Sequence, residues 1–148
     1  MLERVLFLSQ PRAEALRPPR RSAIISITDR DRPSANLRSG WDDVLRLPFD
    51  DFDPVTWPEE DEDFYEGMEE IDAYQMVELA EFCAANARRC RRIVVHCRYG
   101  QSRSAGVAKA LAQVAGLWFP PGYADHNTFV YRVSLRAMQR AFARHAGR

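Results

Sequence analysis

Residues 93–95 are Ile-Val-Val, an apolar β-branched run with no polar break, and they lead directly into His96 and Cys97. A glycine follows at position 100, and from about Arg103 to Ala115 the chain is rich in small residues, with Val107, Leu111 and Val114 recurring at helical spacing. A short apolar run that ends in a glycine turn reads as a buried strand, and the recurrence after it reads as the inner face of a helix. This strand, loop and helix constrain the chain more than any other feature. Strands and helices alternate along the chain, most clearly in its second half, which is the pattern of a mostly parallel sheet in an α/β protein.

The rest of the chain fits that frame. Residues 4–9 and 23–27 read as buried strands, and residues 29–33 break the second. Residues 44–49 read as a third strand, whose Pro48 suits a strand end or a sheet edge. Residues 50–72 hold 12 of the 21 acidic residues, interleaved with Trp57, Phe64 and Tyr65, and read either as a solvated loop leading to a helix N-terminus or as a lid whose Trp57, Phe64 or Tyr65 reaches a ligand near a basic pocket. From about Glu69 the spacing turns helical, with Met76, Leu79, Ala80, Cys83 and Ala87 on one face and Arg88, Arg89, Arg91 and Arg92 around the end. A last helix is expected over residues 128–145, capped by Asn127, with Tyr131, Leu135, Met138 and Phe142 as its stripe. The expected architecture is α/β, a small three-layer sandwich with a mostly parallel central sheet flanked by helices. The 148 residues form a single domain, enough to bury a core without disulfides or metal.

Composition narrows the function classes. The formal net charge is zero, so no global field draws the chain to nucleic acid or a membrane surface. No stretch approaches the roughly 20 apolar residues of a membrane span. A cytoplasmic protein with no nucleic-acid partner is the expectation, and the oligomeric state stays open. Cys83, Cys90 and Cys97 are spaced by seven, unlike zinc-ligand pairs, and fit free thiols in a reducing compartment. Cys83 reads as a packing residue and Cys90 as a surface one, and either is a candidate to form a disulfide with Cys97 on oxidation.

In open α/β sheets ligands bind at the carboxyl ends of the strands, and Cys97 lies at such an end. A tight loop from strand to helix turns its backbone N–H groups toward one point, where the helix N-terminus adds positive potential; that field holds an oxyanion and stabilises a thiolate. Arg103 supplies a planar fork matched to two phosphate oxygens. Gly100 permits a loop conformation that a side chain would obstruct. Ser104 stands where its hydroxyl can donate to the sulfur.

Residues 96–104, His-Cys-Arg-Tyr-Gly-Gln-Ser-Arg-Ser, resemble the His-Cys-x-x-Gly-x-x-Arg-Ser loop of the protein tyrosine phosphatase superfamily. The ending Ser102-Arg103-Ser104 is similar to the dual-specificity branch and its small bacterial relatives. A weaker resemblance covers residues 24–27, 45–51 and 127–132. It implies a phosphatase-like fold that hydrolyses phosphomonoesters through a cysteinyl-phosphate, without metal or cofactor. The implied substrates are phosphotyrosine in proteins, with phosphoserine and phosphothreonine open, or a small phosphomonoester. Cys97 would be the nucleophile, Arg103 the phosphate clamp and Ser104 the hydroxyl that assists the departing sulfur. His96, Arg98, Tyr99, Gly100, Gln101 and Ser102 would make up the rest of the substrate-binding loop. Tyr99 departs from the small residue often found in that branch, and either narrows the pocket or turns outward to stack on a substrate ring.

The family's general acid is an aspartate after a strand reading roughly Ile-Pro-Ile-x-Asp. Leu47-Pro48-Phe49-Asp50-Asp51 is similar and implies Asp51, with Asp50 and Asp53 as competitors and Asp61, Asp63 and Asp72 still open. His96 reads as structural, bonded to backbone near the loop. Asn127 is either a helix cap or a support of the loop. Arg132, Arg136, Arg140 and Arg144 form an i, i+4 ridge that reads as a solvated face, with an anionic partner as the alternative. Three other readings stay open: a phosphoinositide or inositol-phosphate phosphatase, for which Arg98 is the one extra cation in the loop; a non-catalytic phosphate-binding module; and a sulfur-transfer enzyme.

Overall fold

The two strands that are buried along nearly their whole length lie side by side at the centre of the sheet. In the computed structural model, β1 (Arg4–Ser9), β2 (Ser22–Thr28), β3 (Asp43–Pro48) and β4 (Arg92–Cys97) form one sheet in the order β1-β4-β2-β3. Every pairing is parallel. The structure describes the backbone of residues 1–51 and 62–147 and the side chains of residues 1–51 and 73–147. Helices α1 (Gln10–Ala15), α2 (Glu62–Arg89), α3 (Arg103–Ala115) and α4 (Thr128–Ala146) complete the order. The short α1 was not anticipated from the sequence; its Pro11 is tolerated in a first turn, where its missing N–H has no partner to lose.

Two layers of unequal thickness cover the sheet. On one face Ile25, Ile27, Ile93, Val95 and Leu47 pack with Leu79 and Cys83 of α2, Val107 and Leu111 of α3 and Met138 of α4. On the other, Ile24 and Val94 meet Ala13 of α1, with Leu6, Leu8, Leu16, Leu37 and Trp41 around them. Truncating a core residue such as Leu111, which has no exposure, to alanine costs about 2–5 kcal/mol. Pro48 ends β3, an edge strand, so its missing N–H removes no ladder bond from the interior.

Three expectations are corrected. Helix α2 begins at Glu62, seven residues before Glu69, because the carboxylates of residues 62–72 suit a helix N-terminal half and need not mark a loop. In α4 the most buried positions are Val130, Ser134, Met138 and Ala141, so the Tyr131, Leu135 and Phe142 side chains flank the stripe. Cys90 is buried, not superficial, with its thiol 3.7 Å from Asn86 Oδ1.

Parallel register gathers the strand ends. Ser9 pairs with Cys97, Ser26 with His96 and Thr28 with Pro48, so Asp29 and Phe49 emerge beside the loop that follows Cys97. Among the described residues no helix is long and apolar enough to cross a membrane.

Candidate active site

The loop from Cys97 to Arg103 is held from outside through its carbonyls. Arg98 O accepts from Gln10 N at 3.3 Å, and Ser102 O accepts from both Gly106 N and Asn127 N at 3.0 Å. Gln101 O accepts from the Tyr123 hydroxyl at 2.7 Å. A peptide N–H points opposite to its own C=O, so carbonyls turned outward leave N–H groups facing inward, the arrangement of an anion-binding nest. Gly100 has φ +72°, and a Cβ there would lie 2.3 Å from the Ser9 nitrogen. The end of β1 therefore presses on the loop too closely for any side chain at position 100. Gly106 serves the same purpose lower down: a Cβ would come within 2.8 Å of Asn127 O, so a small residue lets α3 and the start of α4 meet.

Cys97 Sγ lies 3.1 Å from Ser104 Oγ, within the first turn of α3. Arg103 is only 4% exposed. Its Nη1 donates to Asp29 Oδ1 at 2.8 Å and to Phe49 O at 2.7 Å, while its Nε is buried with no hydrogen-bond partner among the described residues. The guanidinium is thus gripped by one end, and the edge nearer its stem keeps its donors. Asp29 was read in sequence only as a strand breaker. The signal that identifies it is its place one residue past a strand adjacent to β4, where parallel register delivers it to the loop.

The Asp29 carboxylate also lies 3.5 Å from Arg32 and 3.9 Å from Arg98, so three guanidinium groups share one carboxylate. The Arg98 guanidinium sits 5.1 Å over the Tyr99 ring, and Tyr99 turns outward with 68% of its surface exposed.

Asp51 is brought to the loop: its Oδ1 accepts from Ser102 Oγ and from Asn127 Nδ2, both at 2.9 Å. Asp50 faces elsewhere and accepts from Arg30 N at 3.1 Å. Asp53, Trp57 and Asp61 lie outside the described residues, as do the side chains of Asp63, Phe64, Tyr65 and Asp72. Asn127 caps α4 by accepting from Val130 N at 2.9 Å, so its two sequence readings both describe real contacts.

His96 is fully buried, with Nε2 2.6 Å from Ser26 Oγ. Burial holds it at about 4, below the ordinary histidine value of 6.5, although the nearby Glu14 pulls it up; its Nδ1 has no hydrogen-bond partner among the described residues, so the ring is tied to a side chain, Ser26, and not to backbone as expected. The imidazole is therefore neutral at pH 7 and acts through hydrogen bonding. A further wall escaped the sequence reading. Tyr123, Phe7 and Phe119 form an aromatic cluster with centroids 5.2–5.9 Å apart. Burial, then the charges of Asp125 and Cys97, push the Tyr123 phenol up, which keeps it a donor to Gln101 O.

Cys90 precedes β4 and Cys97 ends it. At about 3.3 Å per residue the two lie roughly 20 Å apart, far beyond disulfide reach. The expectation that Cys90 could protect Cys97 fails on that separation. Cys83 is enclosed, and burial pushes its thiol up, away from reactivity.

No protein-family model, no curated protein and no solved structure matches this chain. The arrangement puts outward-bonded carbonyls, a gripped guanidinium and a buried thiol on one loop, a donor set of the kind that suits a tetrahedral oxyanion.

Proposed function

We propose that this chain is a cysteine-dependent phosphomonoester hydrolase acting on phosphotyrosine in proteins. The observation that carries this reading is Arg103, held behind by Asp29 and Phe49 with a buried Nε lacking a partner among the described residues. A buried donor without a partner costs about 1–3 kcal/mol, and a phosphoryl oxygen would satisfy it. The Cys97 thiolate attacks phosphorus, the S–P bond forms as the bond to the leaving oxygen breaks, and Asp51 gives that oxygen its proton. Water then attacks the cysteinyl-phosphate, Asp51 takes a proton from the water, and the sulfur departs while accepting a hydrogen bond from Ser104. Retention of both Cys97 and Arg103 favours catalysis over phosphate binding alone.

A second reading, an inositol-phosphate phosphatase, draws on Arg32 and Arg98 gathered with Arg103 on Asp29. Those two cations could meet a second phosphate on one substrate. A panel of phosphotyrosine peptides, phosphoserine peptides and inositol phosphates separates the readings. Cys97→Ser should abolish turnover and keep substrate binding, since the cradle stays while the nucleophile is lost. Turnover that survives Cys97→Ser, or that disappears with chelator and returns with a divalent metal, would overturn the mechanism.

A further inference from the structure

Asp51 and the phosphate loop are joined through a residue on a third element. Asn127 is 4% exposed, and each of its polar groups has a different task. Its N–H donates to Ser102 O at 3.0 Å, its O accepts from Tyr131 N at 3.0 Å, its Oδ1 caps α4 at Val130 N, and its Nδ2 donates to Asp51 Oδ1 at 2.9 Å. The second donor to the same Asp51 oxygen is Ser102 Oγ.

We infer that Asn127, with Ser102, is a positioning residue for proton transfer, fixing Asp51 so that Oδ2 carries and delivers the proton. The inference rests on the phosphatase reading and adds which oxygen acts and what aims it. Both donors fall on Oδ1, so that oxygen is occupied as an acceptor. The proton of the acid form then sits on Oδ2, where no donor among the described residues competes with it. Asp51 belongs to an exposed connection after β3, and such a segment has many orientations available. Two hydrogen bonds from groups that are themselves part of the loop and of the α4 cap remove that freedom. They set the acid in the frame of the phosphoryl group it serves. Asn127 suits the task because it is anchored on both sides: its own N–H is tied to the loop, and its Oδ1 to α4.

Capping and positioning separate by mutation. Asn127→Ser keeps a hydroxyl able to cap α4 but has no amide donor to reach Asp51, whereas Asn127→Ala loses both. Ser102→Ala removes the other donor without touching α4. The readout is the ratio of kcat/KM for an activated aryl phosphate, which needs no proton on its leaving group, to that for a phosphotyrosine peptide, which does. A misaimed acid should raise this ratio about 10-fold or more in Asn127→Ser and in Ser102→Ala, within the 10²–10⁴-fold contribution typical of a general acid. In an Asp51→Asn background the Asn127→Ser change should leave the ratio where Asp51→Asn alone puts it, because there is no acid left to aim. If Asn127→Ser and Ser102→Ala slow both substrates in equal proportion, or if the Asn127→Ser effect adds in full to Asp51→Asn, the positioning role is wrong while the phosphatase reading stands. A wild-type protein that hydrolyses neither substrate overturns both.

Discussion

Arg103 donates through Nη1 to Asp29 Oδ1 at 2.8 Å, a contact between the first turn of α3 and the residue just after β2, 74 positions earlier in the chain. The pair explains how a guanidinium that is 4% exposed can be held ready for an anion. Asp29 supplies the opposite charge at Nη1, and Nε is left without a partner among the described residues. Removing one member of a buried pair costs about 3–5 kcal/mol, and less here because the Asp29 side chain is 19% exposed. Asp29→Ala should therefore lower stability by about 2 kcal/mol. It should also reduce kcat/KM by roughly 10²-fold, as a misplaced phosphate clamp would. Thermal unfolding and steady-state kinetics measure both, and an Asp29→Ala protein with unchanged kcat/KM would show that Arg103 needs no such grip.

Gly100 should tolerate no side chain. At φ +72° an alanine is already strained, and its Cβ would press on the backbone of Ser9 and Leu8, which belong to a sheet strand and cannot yield as a flexible side chain could. Gly100→Ala should displace the loop by a substantial fraction of an ångström and reduce kcat/KM by about 10²-fold or more. Weaker inhibition by vanadate, an oxyanion of similar shape, should accompany the loss. Unaltered vanadate inhibition would mean that the loop does not cradle the anion.

Asp51→Asn should slow hydrolysis of phosphotyrosine peptides by about 10²–10⁴-fold and spare aryl phosphates with acidic leaving groups. The basic limb of the pH–rate profile should flatten with it, since that limb reports loss of the acid's proton. Asp50→Asn and Asp53→Asn are the comparisons. Asp50 spends its Oδ1 on Arg30 N and should show little dependence on the leaving group. If Asp53→Asn alone shows the dependence, the acid is Asp53.

His96 gives the stability a pH dependence of defined sign. Its folded-state value of about 4 lies below the 6.5 of an unhindered histidine, so between these values the unfolded chain binds the additional proton. Stability is therefore fully present above about pH 6.5 and is lost as pH falls toward 4, by at most about 3 kcal/mol for this one group. His96→Gln, which keeps an amide near Ser26 and does not titrate, should show a shallower slope of unfolding free energy in that window. Parallel slopes for the two proteins would assign the acid sensitivity to other groups.

What the sequence determined by itself was the local grammar. Residues 93–115 specify strand, loop and helix through features that act within a few residues: β-branching, a glycine turn and helical spacing. Cys97, Gly100, Arg103 and Ser104 were legible for the same reason, since one short loop carries them all. Asp51 was legible only through its likeness to an acid loop. Sequence spacing could not show that its carboxylate meets Ser102 and Asn127, 51 and 76 positions away. Asp29, Tyr123 and Ser26 were illegible as site residues because nothing in their own neighbourhoods distinguishes an aspartate that ends a strand from one that grips an arginine. Strand order β1-β4-β2-β3 and parallel register decided that, by bringing the carboxyl ends of separate strands to one edge of the sheet. The fate of Cys90 was settled the same way: it stands seven positions before Cys97 in the chain, and an extended strand turns those seven steps into roughly 20 Å.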